Sequence, residues 1–244
     1  MPLAVLVVVV VLAHTAYNGC RLTLSLNALA LGASPLTVGV LMSLIAALPM
    51  LFGVASGRLV DRIGVRRPLL IGAALLTLAV ALPGVLPGLA SMPVAAALAG
   101  SSFALVHICA QHMVGEMSAP ERRRDNFGWL ALGFATSNFV GPTVAGFAID
   151  AIGHRGAFLL LALFALAAFA VLAWRRSELT HTPHGERRSG KRSAFELLRS
   201  PDLRRVFLVS GMLAAAWHGR AVPEGVTARN WRPHPPMHGF GYFA

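Results

Sequence analysis

Six apolar segments of membrane-spanning length constrain this chain more than any other feature of its sequence. They cover residues 3–27, 36–57, 68–90, 93–114, 126–150 and 157–174. Each is close to the ~20 residues that an α-helix needs to cross a bilayer. The chain is 56% hydrophobic and 13% charged, which is unusual for a soluble domain. We therefore predict an all-α, polytopic membrane protein whose first unit, residues 1–174, is a bundle of six transmembrane helices in a lipid bilayer.

Basic residues are divided unevenly between the two sides that this topology defines. If the amino terminus is cytoplasmic, the loops on that side carry most of the lysines and arginines, whereas the opposite loops carry only Arg155. This is the bias expected of cytoplasmic loops. It accounts for the net charge of +11 without a nucleic-acid partner. We expect a multi-pass protein of the inner (plasma) membrane, with the amino terminus and residues 175–202 in the cytoplasm.

The composition changes after Trp174. Residues 175–202 are polar and basic, which predicts a cytoplasmic linker with a short interfacial helix. Residues 203–244 begin like a seventh span, but the apolar run ends near Ala216, short of the ~20 residues required. The remainder shows no period of helix or strand. We interpret 203–244 as an incomplete seventh helix followed by a disordered or out-of-frame tail.

A charged motif separates the second and third spans. Its marked residues are Gly57, Asp61, Arg62, Gly64 and Arg66. It resembles the loop between helices two and three of the Major Facilitator Superfamily, which reads Gly-x-Leu-Ala-Asp-Arg-x-Gly-Arg-Lys. The resemblance covers about residues 1–216. It implies a secondary transporter in which this motif controls alternation between inward- and outward-open forms.

Acidic residues of the next cytoplasmic loop are candidate partners for the arginines of this motif. They are Glu116, Glu121 and Asp125. Exposed ion pairs contribute at most ~1 kcal/mol each, so such contacts would bias the two forms and not lock them. An ordinary solvated loop is the alternative interpretation.

The motif recurs once, at an offset of 89 residues. Gly57-x-x-x-Asp61-x-Ile63-Gly64-x-Arg66 returns as Gly146-x-x-x-Asp150-x-Ile152-Gly153-x-Arg155. The offset corresponds to three helices, and an odd number of crossings places the second copy on the other side of the membrane. This indicates two inverted three-helix repeats, an architecture known in facilitator-type transporters. Chance similarity between two glycine-rich helix ends is the alternative.

Polar residues form one face on each of two spans. On the first span they are His14, Asn18, Arg21 and Ser25, and on the fourth they include His107 and Gln111. Steps of three and four residues place each set on one helical face. In the resembled family, helices one and four line the substrate cavity. The functional hypothesis is therefore a cavity lined by His14, Asn18, Arg21, His107 and Gln111, with a histidine as a candidate proton carrier.

Two interpretations of this polar face remain open. In the first, Arg21 attracts an anionic or polar solute and the other side chains donate hydrogen bonds to it. In the second, the polar groups satisfy one another as interhelical hydrogen bonds.

The fifth span carries a second family pattern. Its residues are Gly128, Ser137, Gly141, Pro142 and Gly146. They resemble the helix-five motif of drug/proton antiporters, Gly-x8-Gly-x3-Gly-Pro-x2-Gly-Gly, with small residues replacing two glycines. The resemblance implies efflux and hydrophobic drugs, in conflict with the anion suggested by Arg21. The fourth span lacks the intramembrane arginine of many such exporters, so coupling to a proton is left open.

No constellation for catalysis is visible in the sequence. It shows no phosphate-binding loop, catalytic triad order or metal-ligand spacing, and we expect neither an enzyme nor a cofactor or metal site. We interpret the chain as the amino-terminal half of a facilitator-type transporter of a small solute, incomplete on its own. The alternatives are a non-transporting membrane scaffold, a non-functional truncated product, or self-assembly of two copies into a complete transporter.

Overall fold

The computed structural model describes residues 2–178 and residue 209. The described residues form helices joined by turns, without a strand. The helices are α1 Leu3–Ala30, α2 Pro35–Ile63, α3 Arg66–Val85, α4 Ser91–Met117 and α5 Arg123–Trp174. All five are long and apolar enough to cross a membrane, which confirms the predicted all-α polytopic class. Most of the predicted linker and the predicted incomplete seventh helix lie outside the described residues.

The fifth and sixth predicted spans are joined in α5, where the sequence predicts a polar break from Gly153 to Gly156. The helix is interrupted at Gly153 alone, with φ 73° and ψ 172°. A positive φ combined with an extended ψ is essentially confined to glycine. The two parts of α5 are called here the first arm, residues 123–152, and the second arm, residues 154–174.

Contacts with α1 show that the chain reverses its direction at Gly153. A Cβ atom built on Gly19 of α1 would lie 3.0 Å from the carbonyl oxygen of Gly141 and 2.5 Å from Cδ2 of Leu161. Gly141 and Leu161 belong to different arms, and in a straight helix they would lie about 30 Å apart. Both reach the same glycine, so the arms pack side by side. The described residues thus retain the six predicted crossings.

The first helix lies at the centre of this bundle. Every residue from Ala13 to Cys20 is buried. A helix that packed against neighbours on one side only would bury a single stripe of residues, so α1 is covered on all sides over this stretch. Small residues permit this close approach of backbones, as is common where helices pack in lipid.

The interrupted backbone supports the predicted inverted repeat. Gly64, which ends α2, has φ 77° and ψ 168°, nearly the values of its counterpart Gly153. The helix contacts follow the same relation. The first arm packs on α1 at Gly19, and α2 packs on α4 where a Cβ on Gly100 would meet the backbone of Ile45. In an inverted repeat, helix one corresponds to helix four, and helix two corresponds to helix five, which is the first arm. The contact of the first arm with α1 therefore corresponds to the contact of α2 with α4.

The charged motif is mostly helical, which corrects the prediction of a loop between the second and third spans. The α2 helix continues through Asp61 and Arg62 to Ile63, and α3 begins at Arg66. Burial of Val60, which is 2% exposed, anchors this last part of α2. The turn itself is reduced to Gly64 and Val65, so the charged residues are held on helix ends.

Candidate functional site

Five rings from three helices form a continuous aromatic cluster. They are His14 and Tyr17 of α1, Phe103 and His107 of α4, and Phe134 of the first arm. The rings of Tyr17 and Phe103 stack with centroids 4.0 Å apart and planes within 8°. His14 stacks on the same Phe103 at 4.8 Å, and Phe134 lies 4.5 Å from His107. The cluster therefore connects α1, α4 and α5 through ring contacts, which include both stacked and edge-on pairs.

Two imidazole nitrogens in this cluster are buried without a hydrogen-bond partner among the described residues. They are Nδ1 of His14 and Nδ1 of His107. An imidazole nitrogen is either a donor or an acceptor, and leaving a buried one unpaired is costly. His14 is 8% exposed, so its ring nitrogen is held inside the protein with bonding capacity unused.

Arg21 lies at the edge of the cluster. Its guanidinium carbon is 5.9 Å from the centroid of the Tyr17 ring, within the range of a cation–π contact. The side chain of Arg21 is exposed, while Tyr17 beneath it is buried. A positive charge therefore stands at the accessible margin of a largely apolar aromatic surface.

The remaining predicted cavity residues are paired in different ways. Nδ2 of Asn18 donates to Oδ1 of Asn138 on the first arm at 2.9 Å, which is an interhelical bond of the kind that the second interpretation expects. Gln111 contacts its own helix neighbour His107, with the two Nε2 atoms 2.9 Å apart. Ser25, which shares the polar face of α1 but was not predicted to line the cavity, donates to Sδ of Met42 on α2 at 3.4 Å. The structure thus brings His14 and His107 into one cluster and turns Asn18 towards α5.

Sequence reasoning missed four residues that complete this region. They are Tyr17, Phe103, Phe134 and Asn138. Each lies three or four residues from another member on its own helix, a spacing that places side chains on one face. This spacing was visible in the sequence, but selecting only polar residues on the first and fourth spans excluded the three aromatic residues and Asn138 of the fifth.

The charged motif meets α4 through a residue that the sequence analysis did not select. Nε2 of His112 lies 3.9 Å from Oδ1 of Asp61, and its Nδ1 lies 3.5 Å from Oε2 of Glu116. The side chain of Asp61 is 72% exposed and that of His112 is 29% exposed. The structure therefore places a histidine between the carboxylate of the motif and a carboxylate proposed as a partner for its arginines. Arg62 is exposed and Arg66 is half-buried at the start of α3.

The helix-five motif divides into packed and open positions. A Cβ on Gly141 would lie 2.8 Å from the carbonyl oxygen of Thr15, and Ser137 donates to the carbonyl oxygen of Val11 at 3.2 Å. These positions join the first arm to α1, next to Pro142 within the helix. A Cβ added at Gly128 or Gly146 would meet no described atom within 4 Å beyond the backbone of its own helix.

Comparison with known proteins gives one family. The sequence model described as Major Facilitator Superfamily matches residues 6–224. The chain is 31% identical over 198 residues to human solute carrier family 67 member A1, covering 73% of this chain and 46% of that protein. It is 30% identical over 142 residues to the class B tetracycline resistance protein of Escherichia coli, covering 57% and 34% respectively.

Solved structures give the same fold. A peptide transporter, POT, in its E310Q mutant form with alafosfalin superposes with a TM-score of 0.69 at 23% identity, covering 87% of this chain and 46% of that one. A POT family transporter in complex with 5-aminolevulinic acid gives 0.68 at 17% identity, covering 89% and 47%. The chain spans about half the length of the relatives it matches.

Among the described residues, no group of three or more ligating side chains is placed to hold a metal ion.

Proposed function

Because the chain belongs to the Major Facilitator Superfamily, we propose that it supplies the amino-terminal half of a secondary transporter for a small solute. Transporters of this architecture rock two repeated halves about a site near the middle of the membrane. The six crossings of this chain form one such half. In this proposal the amino terminus and the linker face the cytoplasm, and the membrane is the inner (plasma) membrane.

The aromatic cluster is the observation that carries this proposal. It combines half-buried ring surfaces with the exposed charge of Arg21, next to two buried imidazole nitrogens that lack a partner among the described residues. Binding sites for small molecules are mostly apolar surfaces with a few convergent polar groups. The candidate site proposed here comprises Arg21, His107 and Gln111 at its accessible part and His14 at its buried end, with Asn18 bonded to Asn138 at its border.

The charged motif is proposed as the conformational gate. Asp61 faces His112 of α4, so separating these helix ends would break this contact. The coupling proton in this proposal would move through His14 or His107 of the aromatic cluster. The proposed direction is export, supported by the helix-five motif and by the similarity to a tetracycline resistance protein.

Transport by reconstituted vesicles tests the proposal. The purified chain would be placed in proteoliposomes with an imposed pH gradient. Movement of two radiolabelled probes would be followed: tetracycline, for the drug suggested by the helix-five motif, and 2-naphthoate, for the anion suggested by Arg21. We expect Asp61→Asn to slow transport by about two- to fivefold, because an exposed ion pair contributes at most ~1 kcal/mol. Glu178→Gln, at a carboxylate that pairs with Arg175 outside the motif, is the control and should leave the rate unchanged. Equal rates in the two variants would refute the assigned gate.

Self-assembly is the form of the proposal in which this chain transports without another protein. Crosslinking at several protein-to-lipid ratios would be measured in the same vesicles. Transport that rises with the fraction of crosslinked dimer would support a transporter built from two copies. A folded monomer that moves neither probe would instead favour the second candidate, a membrane scaffold that binds another protein.

A further inference from the structure

The aromatic cluster is graded from a buried end to an accessible rim. His14 and Tyr17 are each 8% exposed, whereas Phe103, His107 and Phe134 are half-buried. The side chains of Arg21, Gln111 and Asn138 are exposed around them. The half-buried rings are therefore the part of the cluster that a solute can reach, and polar groups surround that part.

The stacking within the cluster indicates which part of a solute fits it. Tyr17 and Phe103 already lie in contact, so a ligand cannot enter between them and must lie against the accessible rings. Aromatic rings attract one another in offset or edge-to-face arrangements beyond the effect of buried area. Phe103 and Phe134 both flank His107, with ring centroids 5.7 Å and 4.5 Å from it. A flat aromatic group that lies against His107 is therefore positioned to make such contacts with its neighbours, whereas a saturated ring of similar size has no π-system to make them.

The charge at the rim indicates the second part of the solute. Arg21 stands over the Tyr17 ring, which is stacked on Phe103, so the cation is one ring away from the accessible surface. Its guanidinium is a fork of donors that matches a carboxylate. The same cation would repel a positively charged solute. The amide of Gln111, which is exposed beside His107, offers one further polar group next to this surface.

From these contacts we propose that the cluster selects planar aromatic solutes that carry a carboxylate. The ring lies against Phe103, His107 and Phe134, and the carboxylate binds Arg21. This selection rests on the proposed transport function, because it names the solute class of the same site. It also resolves the conflict between an anionic and a hydrophobic substrate, since one molecule provides both features.

Equilibrium binding to the full chain in nanodiscs tests this selection without requiring transport. The probes are 2-naphthoate, its saturated analogue decahydro-2-naphthoate, and the neutral 2-naphthalenemethanol, each corrected for partition into empty nanodiscs. We expect 2-naphthoate to bind about two- to tenfold more tightly than the saturated acid, as one aromatic contact predicts. We expect it to bind roughly tenfold or more tightly than the neutral alcohol, because a charged hydrogen bond is lost.

Matched variants assign these preferences to residues. Arg21→Gln should remove the preference for the acid over the alcohol, and Phe103→Leu should reduce the preference for the aromatic acid. The controls are Arg124→Gln, at an exposed arginine, and Phe139→Leu, at a ring that is 74% exposed. Both controls should bind like the parent chain.

Several outcomes overturn the proposal. They are equal affinity for the aromatic and saturated acids, equal losses in the variants and their controls, or no binding above that of empty nanodiscs. Binding with the expected preferences but no transport in vesicles would leave the selection intact and count against transport by this chain alone. Transport of a solute without these preferences would reject the selection and retain the transport function.

Discussion

Gly100 of α4 is the position where adding one methyl group gives the sharpest test of the packing. A Cβ atom there would collide with the carbonyl oxygen of Ile45 and lie 3.0 Å from the carbonyl carbon and Cα of the same residue. All three are backbone atoms of α2, so no side chain can rotate away. Relief of the contact requires α2 and α4 to move apart.

The size of the effect of Gly100→Ala follows from two opposing contributions. Overpacking of a tight interior costs about 1–3 kcal/mol. Replacing a helical glycine by alanine favours folding by ~0.4–1 kcal/mol, because the unfolded chain loses freedom. We expect a net loss of up to about 2.6 kcal/mol. At about 2–4 °C per kcal/mol for a soluble domain of this size, the apparent Tm should fall by up to roughly 10 °C.

The native cysteines supply the assay. Cys20 and Cys109 are both fully buried, so a thiol-reactive fluorophore labels them only as the protein unfolds, and the apparent Tm is read at one fixed scan rate. Gly115→Ala is the matched control on the same helix, because its nearest described atom would lie 4.0 Å away. The control should raise Tm slightly. Equal shifts for Gly100→Ala and Gly115→Ala would refute the close contact between α2 and α4.

Three further predictions use the same assay. Gly153→Ala should lower stability by about 1–3 kcal/mol, since its backbone conformation is essentially restricted to glycine, whereas Gly146→Ala, in open space, should not. Arg155→Gln should cost ~1 kcal/mol because its Nε donates to the carbonyl oxygen of Gly84 at 2.8 Å; an unchanged Tm would show that this bond contributes nothing. Asn18→Ala should show a coupling of about 0.6 kcal/mol in a double-mutant cycle with its amide partner on α5, and additive losses would argue against the bond.

The crossings could be predicted from the sequence because apolar length has a direct physical meaning in a bilayer. The length of the turns could not be predicted. The chain reverses at Gly153 alone, and His154 and Arg155, which the sequence places in a polar break, are helical. The repeat could be recognised because the backbone at Gly64 and Gly153 has a positive φ that favours glycine, so both copies of the motif keep a glycine at this position.

The candidate site was predicted only in part, for a different reason. His14 and His107 could be selected because polar groups are rare in spans. Their stacking on Phe103 depends on how three helices come together. The four-residue step from Phe103 to His107 indicates a shared helical face but not which rings meet across helices. His112 could not be selected either, because its contact with Asp61 joins α4 to α2 and depends on how these two helices pack.

The one-residue turn at Gly153 also limits how this half of the bundle can deform. A longer loop would let the two arms slide independently, but here both arms press on Gly19 and are tied at one end by a single residue. We therefore expect the distances among α1 and the two arms to stay constant if helix ends elsewhere in the bundle separate. A pair of spin labels placed across the two arms would then provide an internal reference, against which any change in the distance between Asp61 and His112 can be measured in the same molecule.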